Sequence, residues 1–264
     1  MSNTATVLAF DFGASSGRAI RAVYDGQNLT YEEIHRFENV PIEKDGHLCW
    51  DVETLLKEIH TAIQKAGTFD SLGFDTWGVD FGLLDADGHL LANPVHYRDA
   101  RTNGKPEQAA ACMPAEELYA HTGNQIMAIN TLFQLLALQE QEPELLQKAE
   151  QILFMPDLFA ALLGAEPVCE RSIASTSQML DPRTGQWSRE VLTAYGLKEN
   201  HFAPLVASGT VTGTLANGAK IIAVAGHDTQ CASAAMPCAE EDAEHTAFLS
   251  CGTWSLLGTE LDAP

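Results

Sequence analysis

Carboxylates and small polar residues follow short apolar runs at three places in this sequence. The segments are DFGASSGR (11–18), DTWGVD (75–80) and GHDT (226–229). In α/β sheets, ligands bind where strand ends converge, because the loops at that edge present polar groups to one crevice. The sequence therefore predicts a ligand site built from three strand ends, with aspartates as its reactive groups.

Asp228 is the candidate catalytic residue. It follows the apolar run IIAVAG (221–226), so its carboxylate is expected at a rigid strand end. A carboxylate placed there can accept the proton of a hydroxyl group whose oxygen attacks phosphorus. The alternative is a structural aspartate that caps the following helical segment, TQCASAAM. His227 is interpreted as a binding residue only.

The turn within residues 11–18 has the composition of a phosphate-binding loop, in which small residues allow close approach and N–H or O–H groups donate to phosphate oxygens. Its candidate residues are Gly13, Ser15, Ser16, Gly17 and Arg18. A plain β-turn rich in small residues explains the same sequence equally well. SCGTWS (250–255) has a similar composition, and Thr253 in it is a candidate for a second phosphate contact.

Asp11 lies immediately before the first of these turns. An acidic residue beside a phosphate loop repels its ligand unless a cation lies between them. Asp11 is therefore a candidate ligand of Mg²⁺, either directly or through water.

The elements that must position these residues follow an α/β pattern. A helix over 51–66, capped by Asp51 and ended by Gly67, precedes a strand at 72–75, which is predicted to run parallel to the first strand. The opening antiparallel strands are predicted at 7–12, 18–26 and 29–37.

The same pattern continues to the end of the sequence. A hairpin is predicted over 81–91, around Asp87-Gly88. Helices are predicted at 115–121, 131–141, 143–150, 157–164 and 188–197. Strands are predicted at 152–155 and 221–226, with two more around a glycine turn within 246–260. The fold class is therefore α/β, a mixed sheet with flanking helices.

The composition narrows the classes of partner. A net charge of −21 over 264 residues argues against binding to nucleic acid or an anionic membrane, because phosphate contact needs a basic face. No secretory signal is evident, and no apolar run approaches the roughly 20 residues that span a bilayer. The six cysteines form no C-x-x-C pair, so the chain is expected to be a reduced cytoplasmic protein without a zinc or iron–sulfur site.

Six stretches in order resemble the FGGY carbohydrate kinases, which have the actin-like/ribonuclease H-like ATPase fold. They are FDFGASSGR, HLCWDV, DTWGVDFGLLD, HYRDART, AGHDT and SCGTWSLLG, between residues 10 and 258. Family members are close to twice this length. The resemblance therefore implies a sugar-binding first domain at 1–243, and at 244–264 the first hairpin of a nucleotide-binding C-terminal domain, whose remainder is expected as a covalent partner.

The resemblance implies ATP-dependent phosphorylation of L-rhamnulose at its 1-hydroxyl, with Mg²⁺, and a chain that by itself is weakly active or inactive. DTWGVD favours L-rhamnulose, because the corresponding loop looks different in members that act on L-fuculose, L-ribulose, D-xylulose or glycerol. Those sugars remain alternatives. A sugar-binding remnant without catalysis is another, and a chaperone or ATPase activator of the same superfamily fits poorly.

The resemblance also implies roles for individual residues. Asp228 corresponds to the general base and Asp11 remains the candidate metal ligand. The first ATP phosphate loop corresponds to Ala14, Ser15, Ser16, Gly17 and Arg18, and the second to Thr253. The sugar-binding positions correspond to Gly78, His227, Asp228 and Thr229.

Two further interpretations concern the sugar pocket. Trp77 is expected to offer an apolar surface to a 6-deoxy sugar, or else to pack in the core. Arg98, Asp99 and Arg101 in HYRDART are expected to line the same pocket, or else to form a structural salt-bridge cluster.

Overall fold

The computed structural model describes residues 4–239, 242, 245–251 and 255–260. Its helices are α1 (Val52–Ala66), α2 (Lys105–Ala109), α3 (Ala115–Thr122), α4 (Thr131–Gln141), α5 (Pro143–Lys148), α6 (Met155–Leu162), α7 (Arg171–Ala174), α8 (Arg189–Ala194) and α9 (Asp228–Ala234). Its longer strands are β1 (Ala5–Phe12), β2 (Ser16–Tyr24), β3 (Leu29–Glu38), β6 (Ser71–Thr76), β7 (Phe81–Leu84), β8 (Gln151–Phe154), β13 (Thr210–Thr214), β14 (Lys220–Ala223), β15 (Ala247–Cys251) and β16 (Ser255–Thr259). Short strands are β4 (Ile42–Lys44), β5 (His47–Cys49), β9 (Cys169–Glu170), β10 (Leu180–Asp181), β11 (Gln186–Trp187) and β12 (Leu205–Val206).

A six-stranded mixed sheet organises the fold, in the order β13-β14-β6-β1-β2-β3. β1, β2 and β3 pair antiparallel, which confirms the predicted meander. β6 returns parallel to β1 after α1, and β14 lies parallel to β6 on its other side. The ends of β1, β6 and β14 therefore point to the same edge of the sheet.

The helix between β3 and β6 forms as predicted. The Asp51 carboxylate accepts a hydrogen bond from the backbone N–H of Thr54, and Gly67 ends the helix with a φ of 66°. Glycine suits that position because a side chain is strained at positive φ. The buried stripe of α1 consists of Val52, Leu55, Ile59, Ala62 and Ala66.

The two faces of β1 differ in exposure. Three of its four even-numbered residues, Leu8, Phe10 and Phe12, are fully buried. The ring of Phe10 packs against that of Phe74, with centroids 4.8 Å apart. The ring of Phe12 packs against that of Phe159 in α6, with centroids 4.9 Å apart. The odd-numbered residues lie on the more open face, because successive side chains of a strand alternate between faces. Asp11 is one of them.

The hairpin predicted over 81–91 forms, and its first arm, β7, has a second partner strand that was not predicted. The turn forms where expected, with the Gly88 N–H donating to the Asp85 carbonyl at 3.0 Å. The Leu91 N–H donates to the Leu83 carbonyl at 2.9 Å, the Asp85 N–H donates to the His89 carbonyl at 3.0 Å, and an antiparallel bridge joins Leu84 to Leu90. β7 also pairs antiparallel with β8. All four residues of β7 are buried, because the strand lies between β8 and the returning arm of the hairpin.

Other predicted elements form with small changes of length. α8 covers 189–194 rather than 188–197, α5 ends at Lys148, and β14 ends at Ala223 rather than 226. The pair of strands near the end of the sequence is present as β15 and β16. The predicted domain division at 243–244 falls on residues outside the described part and stays a prediction.

Two further observations concern the cysteines and the helices. All six cysteines lie in the described part of the chain and have free thiols. Every helix in the described ranges is too short or too polar to cross a membrane.

Candidate active site

The three polar strand ends lie side by side at one edge of the sheet. Asp11 is opposite Asp75 in the parallel register of β1 and β6. The Thr76 N–H donates to the Gly226 carbonyl at 2.9 Å, and a parallel bridge joins Thr76 to His227. The segments around Asp11, Gly78 and Asp228 are therefore neighbours, as the sequence predicts for one crevice.

Asp75 carries the clearest electrostatic sign of this convergence. Burial, followed by the charges of Asp11 and Asp228, raises the pKa of Asp75 to about 8, while Arg18 opposes the rise. Asp75 belongs to the predicted polar strand end, but its residue type and position alone predict no role for it. The signal that could have found it is the register, because a parallel return after one helix places FDF (10–12, with Asp11) beside FDT (74–76, with Asp75).

Asp75→Asn is expected to stabilise the chain above neutral pH. The folded-state pKa of about 8 exceeds the ordinary value of 3.8, so this carboxyl contributes its full stability below about pH 4. That contribution is lost as the pH rises towards 8, because the folded state resists ionisation. At about 1.36 kcal/mol per pKa unit, the variant should be roughly 5 kcal/mol more stable than the parent at pH 8 and equal to it near pH 4, by urea unfolding.

The control for that prediction is Asp87→Asn, on the exposed turn after β7. It changes the same functional group but lies away from Asp11, Asp75 and Asp228. It should leave the dependence of stability on pH unchanged. A stability difference for Asp75→Asn that does not vary between pH 4 and pH 8 would contradict the prediction.

Asp11 and Arg18 are paired across β1 and β2. The Asp11 Oδ2 atom lies 2.7 Å from the Arg18 Nε atom and 2.5 Å from its Nη2 atom. The candidate metal ligand and the candidate phosphate donor therefore form an ion pair with each other. The Arg18 side chain is 44% exposed, so it can turn towards a ligand with little loss of packing.

The turn between β1 and β2 is held by a residue that the sequence analysis missed. Asn39 is 3% exposed. Its side-chain N–H donates to the Gly13 carbonyl at 2.9 Å, and its backbone N–H donates to the Ser15 carbonyl at 3.0 Å. Ser15 is exposed and Ala14 is half-buried, so the turn itself faces outward. Nothing in the local sequence marks Asn39, because it lies beyond β3.

Gly17 has a packing reason for being glycine. A Cβ atom at this position would lie 2.3 Å from the Cζ atom of Phe37. The ring of Phe37 thus occupies the space of a side chain at Gly17, and close approach to a ligand is not needed to explain the residue.

The structure places Trp77 in the core beneath the strand end. Its side chain is 5% exposed, and its indole ring lies 3.9 Å from that of Trp50, centroid to centroid. This geometry is that of the core-packing alternative, and contact of Trp77 with a sugar stays a prediction. Gly78 is half-buried, and a Cβ atom there would lie 3.0 Å from the Cγ2 atom of Thr176.

A buried carboxylate organises this part of the site. The Asp80 Oδ2 atom accepts hydrogen bonds from Trp50 Nε1 at 2.7 Å, Trp77 Nε1 at 3.0 Å and the Tyr97 N–H at 3.1 Å. The Gln134 Nε2 atom donates to Asp80 Oδ1 at 2.8 Å. Burial raises the pKa of Asp80 to about 6 although all four hydrogen bonds lower it. From the sequence, Asp80 is only the last residue of DTWGVD, and nothing there predicts this network.

The side chains of the segment HYRDART (96–102) mainly contact other residues of this chain. Asp99 accepts hydrogen bonds from the N–H groups of Leu48 and Arg101, at 2.8 and 2.9 Å, and lies 3.2 Å from His47 Nδ1. Arg101 donates to Gln134 Oε1 at 3.0 Å. Arg98 lies over the ring of Tyr97, 5.2 Å from its centroid, and is exposed. These contacts favour a structural cluster over a row of pocket residues for Asp99 and Arg101.

Asp228 is the first residue of α9, and His227 precedes it as the N-cap. The Asp228 Oδ1 atom accepts from the Thr229 N–H at 2.6 Å and lies 3.4 Å from His227 Nε2. The Asp228 side chain is 41% exposed, so its carboxylate is open to a ligand. Burial lowers the pKa of His227, against the opposing charge of Asp228. The His227 Nδ1 atom is buried without a hydrogen-bond partner among the described residues.

The donor set at this edge suits a hard cation, because carboxylate oxygens are the ligands that Mg²⁺ prefers. After burial, the charges of Asp11 and Asp228 are the next causes that raise the pKa of Asp75, so these three carboxyl groups act on one another. Asp11, Asp75 and Asp228 do not form a closed cage, since they are not among the described groups of three whose ligand atoms lie within 4.8 Å. Mg²⁺ typically binds one or two carboxylates and completes its shell with phosphate oxygens and water.

Thr253, the candidate for a second phosphate contact, lies outside the described residues. The structure therefore gives no position for it. Its role stays a prediction.

Comparison with known families assigns most of the chain to one family. The N-terminal domain of the FGGY family of carbohydrate kinases matches residues 6–234. The chain is 41% identical to a rhamnulokinase of Bacteroides thetaiotaomicron over 270 residues, covering 97% of this chain and 55% of the relative. A rhamnulokinase of Lactiplantibacillus plantarum is 39% identical, with 97% and 54% covered. The chain thus spans about half the length of the curated relatives it matches.

Solved structures show the same fold at low sequence identity. A ligand-bound xylulose kinase from Lactobacillus acidophilus matches with a TM-score of 0.80 at 17% identity, covering 98% of this chain and 55% of that one. A carbohydrate kinase from Novosphingobium aromaticivorans matches with a TM-score of 0.78 at 20% identity, covering 100% and 57%. The likeness extends over the whole chain.

Proposed function

Because the chain belongs to the FGGY family of carbohydrate kinases, we propose that it supplies the sugar-binding part of an ATP-dependent kinase that phosphorylates L-rhamnulose at its 1-hydroxyl. One observation carries the proposal. The register of β1 with β6, and the hydrogen bond from Thr76 to Gly226, bring the phosphate-loop candidate and the candidate base to one edge. The two rhamnulokinase relatives support L-rhamnulose as the sugar.

In the proposed reaction, Asp228 accepts the proton of the 1-hydroxyl as that oxygen attacks the terminal phosphorus of ATP. Two features support this role. The carboxylate is 41% exposed, and its described hydrogen bonds go to the adjacent Thr229, so it caps no later N–H of α9. The buried Nδ1 atom of His227 supports a role for His227 in binding the sugar.

The phosphate side of the proposal uses the turn after β1. Its residues Ala14, Ser15, Ser16, Gly17 and Arg18 would contact ATP, and Thr253 would contact it from the second hairpin. Asp11 would hold Mg²⁺, which when bound neutralises charge on the phosphate oxygens. Arg18 would then exchange its contact with Asp11 for a charge-assisted hydrogen bond to phosphate.

The sugar side uses the ends of β6 and β14. Gly78, Thr229 and His227 would surround the ketose, and Trp77 would support the loop from below. The relatives continue for about as many residues again, and we propose that a C-terminal domain closes over the sugar to exclude water. The free thiols of all six cysteines are compatible with the cytoplasmic location predicted from the sequence.

A panel of sugars in a thermal-shift assay tests the substrate. A ligand that binds the folded state raises stability by RT ln(1 + [L]/Kd), so binding is detected without turnover. We expect L-rhamnulose at about 100 times its Kd to add roughly 2.7 kcal/mol, and more than L-fuculose, L-ribulose, D-xylulose or glycerol at equal concentration. A larger shift with any of those four would reassign the sugar, and no shift with the whole panel would contradict sugar binding.

A further inference from the structure

Glu170 lies at the junction of two loops that reach the candidate active site. It is the last residue of β9 and the N-cap of α7, and it is 1% exposed. A glutamate is rarely buried to this extent unless its oxygens are fully engaged. The contacts of its two oxygens therefore indicate what it does.

All described hydrogen-bond partners of its side chain are donors. The Oε2 atom accepts from the Ser172 N–H at 2.9 Å, the Ser172 Oγ at 2.6 Å, the Ile173 N–H at 3.2 Å and the Gly226 N–H at 3.0 Å. The Oε1 atom accepts from the Ser208 Oγ at 2.6 Å. An ionised carboxylate is an acceptor without donors of its own, so it matches this set of partners.

One of these contacts fixes the backbone next to the candidate base. Gly226 precedes His227 and Asp228, and its carbonyl also accepts from the Thr76 N–H at 2.9 Å. The Gly226 peptide is thus held from both sides, by Glu170 and by the end of β6. A Cβ atom at Gly226 would lie 2.9 Å from the Cγ atom of Pro156, so the chain has little room to shift there.

The other contacts fix the loop that presents Gly78. The Ser172 and Ile173 N–H groups begin α7, which leads to Thr176. The Thr176 Oγ1 atom accepts from the Val79 N–H at 3.0 Å, and its methyl group contacts the position of Gly78. Glu170 therefore joins the segment that carries Asp228 to the segment that supports Gly78.

We propose that Glu170 is a positioning residue for the sugar-kinase site, holding the backbone before Asp228 and the support of Gly78 in one arrangement. This inference rests on the proposed function for its catalytic meaning. The positioning itself does not, because it concerns the backbone of this chain.

Amide hydrogen exchange tests the positioning directly. Glu170→Ala removes both carboxylate oxygens, and the Gly226 N–H should exchange at least about tenfold faster than in the parent, because its described acceptor is gone. The amides of β1 should keep their exchange rates. Glu170→Gln retains an amide oxygen at the same reach and should restore much of the protection, since Ser208 can accept from the new N–H₂ group.

Ser208→Ala is the matched control, because it removes the Oε1 contact and leaves the one to Gly226 in place. It should leave exchange at Gly226 unchanged. If Glu170→Ala does not fold, Glu170→Asp replaces it, since aspartate keeps the charge but is one methylene shorter. Unchanged exchange at Gly226, or an equal acceleration at Gly226 and β1, would overturn the proposal.

Titration of L-rhamnulose by calorimetry adds the functional readout. We expect the Kd to rise at least about tenfold in Glu170→Ala and to stay within about twofold of the parent in Ser208→Ala. A parent chain that does not bind the sugar would contradict the proposed function, while the exchange result still decides the role of Glu170. A parent that binds, with the same Kd in Glu170→Ala, would overturn the inference alone.

Discussion

Replacing Asp228 with asparagine is expected to lower kcat for L-rhamnulose phosphorylation by about 10²–10⁴-fold, the range that general-base catalysis contributes. Asparagine keeps the size of the side chain and its oxygen towards Thr229 but removes its basicity. The effect should therefore fall on kcat, while the Kd for the sugar changes little. Coupled ADP release measures it, in a fusion of this chain with the C-terminal half of the Bacteroides relative.

The controls for Asp228→Asn separate catalysis from folding. Asp87→Asn, on the exposed turn after β7, should leave kcat unchanged. The unfolding midpoint of Asp228→Asn should match that of the parent, because the Asp228 side chain is 41% exposed. A kcat within about twofold of the parent would remove Asp228 from the mechanism.

Asp80→Ala is expected to destabilise the chain by about 3–5 kcal/mol, the cost of breaking a buried charged network. The substitution leaves the indole N–H groups of Trp50 and Trp77 and the backbone N–H of Tyr97 without their described acceptor. Each buried donor without a partner costs about 1–3 kcal/mol. Urea unfolding at constant m-value measures the loss.

The cost of Asp80→Ala should depend on pH in a defined direction. The pKa of Asp80 is raised to about 6 from the ordinary value of 3.8, so its contribution to stability falls as the pH rises from about 4 through 6. The alanine variant lacks this titration. The difference between parent and variant should therefore be about 1 kcal/mol larger at pH 5 than at pH 7.5.

Asp80→Asn and Asp87→Ala complete this experiment. Asparagine keeps one acceptor oxygen and avoids a buried charge, so it should cost roughly half as much as alanine. Asp87→Ala removes an exposed carboxylate and should change stability by less than about 0.5 kcal/mol. A cost for Asp80→Ala as small as that of Asp87→Ala would show that the network does not stabilise the fold.

The elements with strong periodicity were predictable from the sequence. The meander β1–β3, the helix α1 with its cap at Asp51, and the strand pair β15–β16 follow from alternation, apolar spacing and turn residues alone. The edge where Asp11 and Asp228 meet was predictable as well, since it needs only the rule that a helix returns the chain to a parallel strand.

What the sequence could not supply are contacts between residues far apart in the chain. The pairing of β7 with β8 spans about 70 residues, and the local pattern indicates only the hairpin arm on the other side of β7. Asn39 and Glu170 act on turns that lie 26 and 56 residues away, at Gly13 and Gly226. Their residue types are ordinary, and only burial marks them as important.

The sequence alone could not decide whether Trp77 packs in the core or binds a ligand. A tryptophan before a glycine at a strand end is compatible with either role. In the structure the ring of Trp77 packs against Trp50, and its N–H donates to Asp80. Both contacts are those of a core residue.

The close pair of indoles gives the chain an intrinsic optical probe. The ring centroids of Trp50 and Trp77 are 3.9 Å apart, which is close enough for the electronic transitions of the two indoles to couple. This coupling should add a pair of bands of opposite sign to the near-ultraviolet circular dichroism spectrum. Trp187 is the other described tryptophan, and its ring packs against that of Phe202 at a tilt of 35°, so it supplies a background that Phe202→Leu would perturb separately. Movement of the segment above Trp77 could thus be followed by spectroscopy in unlabelled protein.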